Sequence, residues 1–214
     1  MLIKFTKMHG AGNDYIYIDA TNHCPDNLSE LACEMSDRHK GVGADGLVAI
    51  MNSDCADFRM RMFNADGSEG EMCGNASRCI AKFVYDKHLT NKRDIALETL
   101  AGIKQLHITK LDSKGMVEEV MVDMGEPNFK PEFIPSNSLE PIVEKPIETI
   151  MGTLNITALS TGNPHCVVFL DEIDNSHPSA LLSLNSAIGA TTNGNIYMAF
   201  EDGKFTQAHP NFRI

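Results

Sequence analysis

Phe63-Asn64-Ala65-Asp66-Gly67-Ser68-Glu69-Gly70-Glu71-Met72-Cys73-Gly74-Asn75-Ala76-Ser77-Arg78 runs from a polar turn through a cysteine into the start of a helix. Downstream, Ala76, Cys79, Ile80, Phe83 and Val84 recur at i, i+3, i+4, i+7 and i+8, the spacing of one buried helical face. Cys73 therefore sits near the helix N-terminus. Unpaired backbone N–H groups and the helix dipole at that end stabilise an anion, so a thiolate is favoured over a thiol. A cysteine in such a place can also be a small buried residue and nothing more. The surrounding Asn-x-Asp-Gly-Ser and Cys-Gly-Asn pattern favours a reactive thiol, usable as a base or a nucleophile.

Working outward, the residues before this stretch alternate. Phe58, Met60 and Met62 face one way and Arg59 and Arg61 the other, which is strand periodicity. Leu2 to Phe5 and Tyr15 to Asp19 read as short strands around the loop His9 to Asp14, and Ser29 to His39 reads as a helix with Ser29 as N-cap. Gly41-Val42-Gly43-Ala44-Asp45-Gly46 formally satisfies G-x-G-x-x-G. It precedes the strand Leu47 to Met51 instead of opening a helix, so it reads as a turn and not a nucleotide cradle. Beyond the Cys73 helix, which ends near Asp86 to His88, strands are expected at Ile95 to Thr99, Ile103 to Lys110 and Met116 to Asp123.

Gly125-Glu126-Pro127-Asn128 breaks this run and places a boundary. The expected organisation is a domain over 1–125, a linker or edge segment over 126–146, and a second domain over 147–214. In the latter, strands are expected at Leu154 to Leu159, Cys166 to Leu170 and Asn195 to Phe200. Ser179 to Ile188 reads as a helix, and Glu201 to Lys204 as a hairpin turn.

The chain has 214 residues, 43 % hydrophobic and 22 % charged, the balance of an ordinary globular protein. A formal net charge of -11 argues against nucleic acid or an anionic membrane as partner, since phosphates need clustered Lys and Arg. No run reaches the length of a membrane span, and the opening residues are too short and polar for a signal peptide, so a cytoplasmic location is expected. Six cysteines without a secretory signal read as reduced thiols. His23, Cys24, Cys33 and His39 match no common zinc spacing, so no metal is expected.

Four stretches together resemble the diaminopimelate epimerase family. They are Phe5 to Tyr15, Arg38 to Gly46, Asn64 to Arg78 with its Cys-Gly-Asn core, and Thr161-Gly162-Asn163-Pro164-His165-Cys166-Val167. The resemblance implies an α+β fold of two pseudo-symmetric domains, each a rolled mixed β-sheet around a central helix, the second incomplete here. It implies a cofactor-independent inversion of LL- to meso-diaminopimelate in lysine biosynthesis. Cys73 would be one of two catalytic thiols and His165 a catalytic neighbour that tunes them. Gly74 and Asn75 would hold the substrate α-carboxylate through their backbone, and Asn13, Asn64 and Asn163 would bind the amino acid. Its partner would be a small-molecule amino-acid substrate, and a homodimer is left open.

The sequence also departs from the family pattern. Cys73 is the only cysteine followed by glycine, there is no Glu-Arg pair, and the second Cys-Gly-Thr-Gly motif is missing. The match fades after about Asp174. The expectations are therefore a fragment, a frameshifted product, or a protein that keeps the fold and has lost the two-thiol reaction. Impaired inversion follows in each case. Gly46 stands where many relatives carry glutamine, so one contact to the distal end of the substrate would be absent. A racemase for another amino acid, or an inactive binding or scaffold protein, are the alternative readings.

Overall fold

The computed structural model describes residues 2–134, 136–149, 152–162, 164–169 and 195–199, and divides into two units at Met124/Gly125. In the first unit, β1 (Thr6–Gly10) and β2 (Asn13–Asp19) form a hairpin pairing Gly10 with Asn13. Its two turn residues, Ala11 and Gly12, both have positive φ (52° and 85°), the backbone hand that matches strand twist. The first strand thus lies later than the apolar run Leu2 to Phe5 indicated. Backbone pairing with β2 decides it, and Leu2 is left exposed.

Helix α1 (Leu28–Ser36) is capped by Asn27, whose side chain accepts from the Glu30 N–H at 3.2 Å. Ser29, the expected cap, instead donates its hydroxyl to the Gly67 carbonyl at 2.7 Å. The glycine-rich segment after α1 is a turn into β3 (Gly46–Met51), as its sequence indicates. Then come β4 (Phe58–Asn64), the short β5 (Glu69–Gly70), α2 (Gly74–Asp86), β6 (Asp94–Thr99), β7 (Gly102–Leu111) and β8 (Val117–Asp123).

These strands make one mixed sheet in the order β1-β2-β3-β4-β6-β7-β8, with β5 beside β4. The β2–β3 and β4–β6 pairs are parallel, and the other pairs are antiparallel. Helix α2 packs against β1 and β2 at one edge and β7 and β8 at the other, so the sheet curls around it. The alternation of β2 and β3 feeds two cores. Tyr15, Tyr17, Val48 and Ile50 join Ile80 and Val84 of α2, while Ile16, Ile18, Leu47 and Ala49 join Leu28 and Ala32 of α1.

Among the described residues, the second unit holds a four-stranded mixed sheet ordered β12-β11-β10-β9. It comprises β9 (Lys145–Thr149), β10 (Gly152–Ser160), β11 (Pro164–Phe169) and β12 (Asn195–Ala199), with β11 and β12 parallel. Ile134 and Ile142 from the preceding segment bury against Ile156, Ala158, Cys166 and Val168. The expected helix at Ser179 to Ile188 and turn at Glu201 to Lys204 lie outside the described residues, as does Asn163. Among the described residues no helix is long and apolar enough to cross a membrane.

Candidate active site

Cys73 is the N-cap of α2. Its extended backbone precedes the first helical residue, Gly74, and its Sγ accepts from the Ala76 N–H at 3.5 Å. The same sulfur donates to Asn13 Oδ1 at 3.5 Å. Cys73 and Asn13 lie far apart in the chain and meet because the β1–β2 hairpin abuts the start of α2. Gly10 makes that approach possible, since a Cβ there would stand 2.9 Å from the Asn75 carbonyl oxygen.

Around Asn13 lies a cluster of charge that sequence reasoning left without a role. The Asn13 Nδ2 donates to Asp45 Oδ2 at 3.1 Å, and the same oxygen accepts the Asp14 N–H at 3.2 Å. Arg38 Nη2 donates to Asp45 Oδ1 at 3.0 Å and to Asp14 Oδ1 at 2.7 Å. Lys7 stands 3.1 Å from Asp14 Oδ2 and also donates to the Gly43 carbonyl. Burial alone would push the Asp14 carboxyl up, but hydrogen bonds and charge from Arg38 and Lys7 outweigh it and hold its pKa at about 2. In the sequence these residues fell within two of the stretches that carry the family resemblance, Phe5 to Tyr15 and Arg38 to Gly46, with no role attached to them.

The other expected residues are placed as follows. Asn64 ends β4 opposite Gly46, and its Nδ2 donates to Ser68 Oγ at 3.0 Å within the Asn64–Ser68 turn. Asn75 accepts from the Arg78 guanidinium through Oδ1. The backbone N–H groups of Gly74 and Asn75 belong to the first turn of α2, where an anion is stabilised. Gly46 leaves no room for a side chain, because a Cβ would stand 2.0 Å from the Phe63 carbonyl oxygen. In the second unit, His165 on β11 is buried, and its Nε2 lies 3.0 Å from Thr161 Oγ1. Burial pushes His165 down to about 4, which keeps the imidazole neutral at pH 7.

The remaining thiols separate by environment. Cys79, beneath Cys73 on the same helix, and Cys166 on β11 are 6 % and 4 % exposed. Burial raises both, Cys166 to about 12, so each is held as a thiol in the core. Cys33 and Cys55 are exposed and Cys24 is half-buried, and none of the six cysteines forms a disulfide.

A sequence model of the diaminopimelate epimerase family matches residues 5–130, the part of the chain that builds the Cys73 site. The chain belongs to the diaminopimelate epimerase family. It is 53 % identical over 173 residues to the diaminopimelate epimerase of Acetivibrio thermocellus, a match covering 80 % of this chain and 61 % of that protein. The figures for a Methanococcus maripaludis diaminopimelate epimerase are 53 % over 173 residues, 80 % and 62 %. The chain thus spans about three fifths of the length of these relatives. The fold recurs in a probable proline racemase from Agrobacterium radiobacter, with a TM-score of 0.62 at 16 % identity over 95 % of this chain and 69 % of that one. It recurs again in a hydroxyproline epimerase from Agrobacterium vitis, with a TM-score of 0.61 at 15 % identity over 95 % and 68 %. The α+β class read from the epimerase-like motifs is the class observed.

Proposed function

We propose that this chain supplies one half of a cofactor-independent epimerase site for diaminopimelate, with Cys73 as its acid/base group. The observation that carries the reading is the Cys73 sulfur at the mouth of α2, held between the Ala76 N–H and the Asn13 carbonyl inside the family-matched segment. A thiol there can exchange one proton with a substrate α-carbon. The Gly74 and Asn75 N–H groups would receive the α-carboxylate, and their dipoles would stabilise the negative charge that spreads onto it when the α-proton leaves. Asn64 would bind the amino acid, and the roles that the resemblance implies for Asn163, substrate binding, and for His165, tuning of the thiols, belong to the same reading.

Inversion needs a thiolate on one face of the α-carbon and a thiol on the other. Cys73 can take a proton from, or return it to, one face only. The sequence has no second Cys-Gly pair, which favours a second reading in which the chain binds the amino acid without turnover. LL- and meso-diaminopimelate incubated with the 214-residue chain in deuterated water separate these. The expected result is slow loss of the Cα–H signal in one isomer with little change in isomer ratio. Rapid interconversion would place the second acid/base group elsewhere in this chain. Binding with no exchange at all would favour the inactive reading, and no binding would refute both.

A further inference from the structure

We propose that Asp45 is a positioning residue for Cys73, acting through the carboxamide of Asn13. The inference rests on Cys73 being the reacting thiol, as proposed above. An ionised carboxylate only accepts hydrogen bonds. Asp45 Oδ2, 3.1 Å from Asn13 Nδ2, therefore fixes which end of the carboxamide is its NH2. The carbonyl end must then face Cys73, and its Oδ1 lies 3.5 Å from the sulfur. Arg38, bonded to Asp45 Oδ1, holds the carboxylate in that orientation.

The consequence is chemical. A carbonyl oxygen can accept from an S–H but meets a thiolate lone pair to lone pair, whereas the Ala76 N–H on the other side favours the thiolate. Cys73 is thus poised between a group that favours each of its two protonation states, as a residue that must both give and take a proton requires. Were Asp45 neutral, the Asn13 carboxamide could turn over and offer NH2 to the sulfur, and the balance would tip to thiolate. Among the described residues, the charged groups facing this cluster include Lys7 of β1, Asp14 of β2, and Arg38 and Asp45 of the α1–β3 segment, while the titratable Tyr17 of β2 and Cys79 of α2 interact with Cys73 itself.

The test reads the thiol and not turnover, so it stands or falls separately from the proposed reaction. Iodoacetamide labelling of Cys73, resolved from the other cysteines by peptide mass spectrometry, is followed against pH. The chains compared are the parent, Asp45→Asn, Asn13→Ala and the double variant, each checked for intact folding by circular dichroism. In Asp45→Asn the midpoint of the Cys73 profile moves to lower pH by about half to one unit, the worth of one hydrogen bond. In the Asn13→Ala background the Asp45 substitution produces no further shift. An equal shift in that background would mean that the Asp45 charge acts directly, and no shift at all would mean that it does not act on Cys73. Either result overturns the proposal. If Asp45→Asn fails to fold, the parent chain still decides. With 15N-labelled asparagine, assigned by its loss in Asn13→Ala, the Asn13 NH2 pair is expected to exchange slowly with solvent, with one proton shifted downfield. A pair exchanging as freely as exposed asparagines would overturn the proposal.

Discussion

Gly46→Ala is expected to destabilise the first unit by about 3 kcal/mol, the upper end of the usual overpacking range. Gly46 opens β3 and is paired with Asn64 at the end of β4. An added Cβ would stand 2.0 Å from the Phe63 carbonyl oxygen and 2.7 Å from Tyr15 Cε1. Ordinary contact is about 3.5 Å, so more than about 1 Å must be taken up. The Tyr15 ring is buried in the α2 core and cannot swing away freely. The Phe63 oxygen is backbone of β4, held by the pairing of Leu47 with Phe63 and of Val48 with Met62. Relief therefore requires the two strands to part at the end where Asn64 and the Asp45 turn meet. For a unit of this size the melting temperature should fall by roughly 10 °C. Thermal unfolding followed by circular dichroism measures it. A melting temperature within a degree or two of the parent would show that β3 and β4 can part there without cost. The glycine would then have no steric reason to be there. Gly46→Gln meets the same clash.

Ile80→Ala should cost about 2–5 kcal/mol in urea unfolding, since Ile80 is fully buried between α2 and the sheet. Asn27→Ala should cost about 1 kcal/mol through loss of the α1 cap, and an unchanged urea midpoint would remove that role. The folded Asp14 carboxyl, at about 2, lies below its ordinary 3.8, so its stabilisation is present above about pH 4 and is lost as the pH falls toward 2. Roughly 1 kcal/mol should go in that window once solvent screening of half-exposed Arg38 is allowed for, and Asp14→Asn should flatten it. His165, at about 4 when folded and 6.5 ordinarily, takes up its proton more readily in the unfolded chain. Stability of the second unit should therefore fall as pH drops from 6.5 to 4, and an NMR titration of His165 with a midpoint near 6.5 would refute the burial argument.

The sequence by itself determined helix α2 and the place of Cys73 near its N-terminus. Thirteen residues, Gly74 to Asp86, bury the face that the i, i+3, i+4 spacing marks, with Cys73 at the N-cap. That information is local, because a helix satisfies its own backbone and exposes its pattern within a few turns. The alternation of β4 was equally legible for the same reason. What it could not determine depends on partners far along the chain. β1 begins at Thr6 because β2 pairs with it there, and Ser29 is not a cap because its hydroxyl goes to Gly67. The link from Arg38 through Asp45 and Asn13 to Cys73 joins a turn, a hairpin and a helix start. Arg38 and Asp45 are not distinctive alone. Only the curl of the sheet around α2 brings them within hydrogen-bond range, and a hydrogen bond depends on distance in space and carries no trace of separation in sequence.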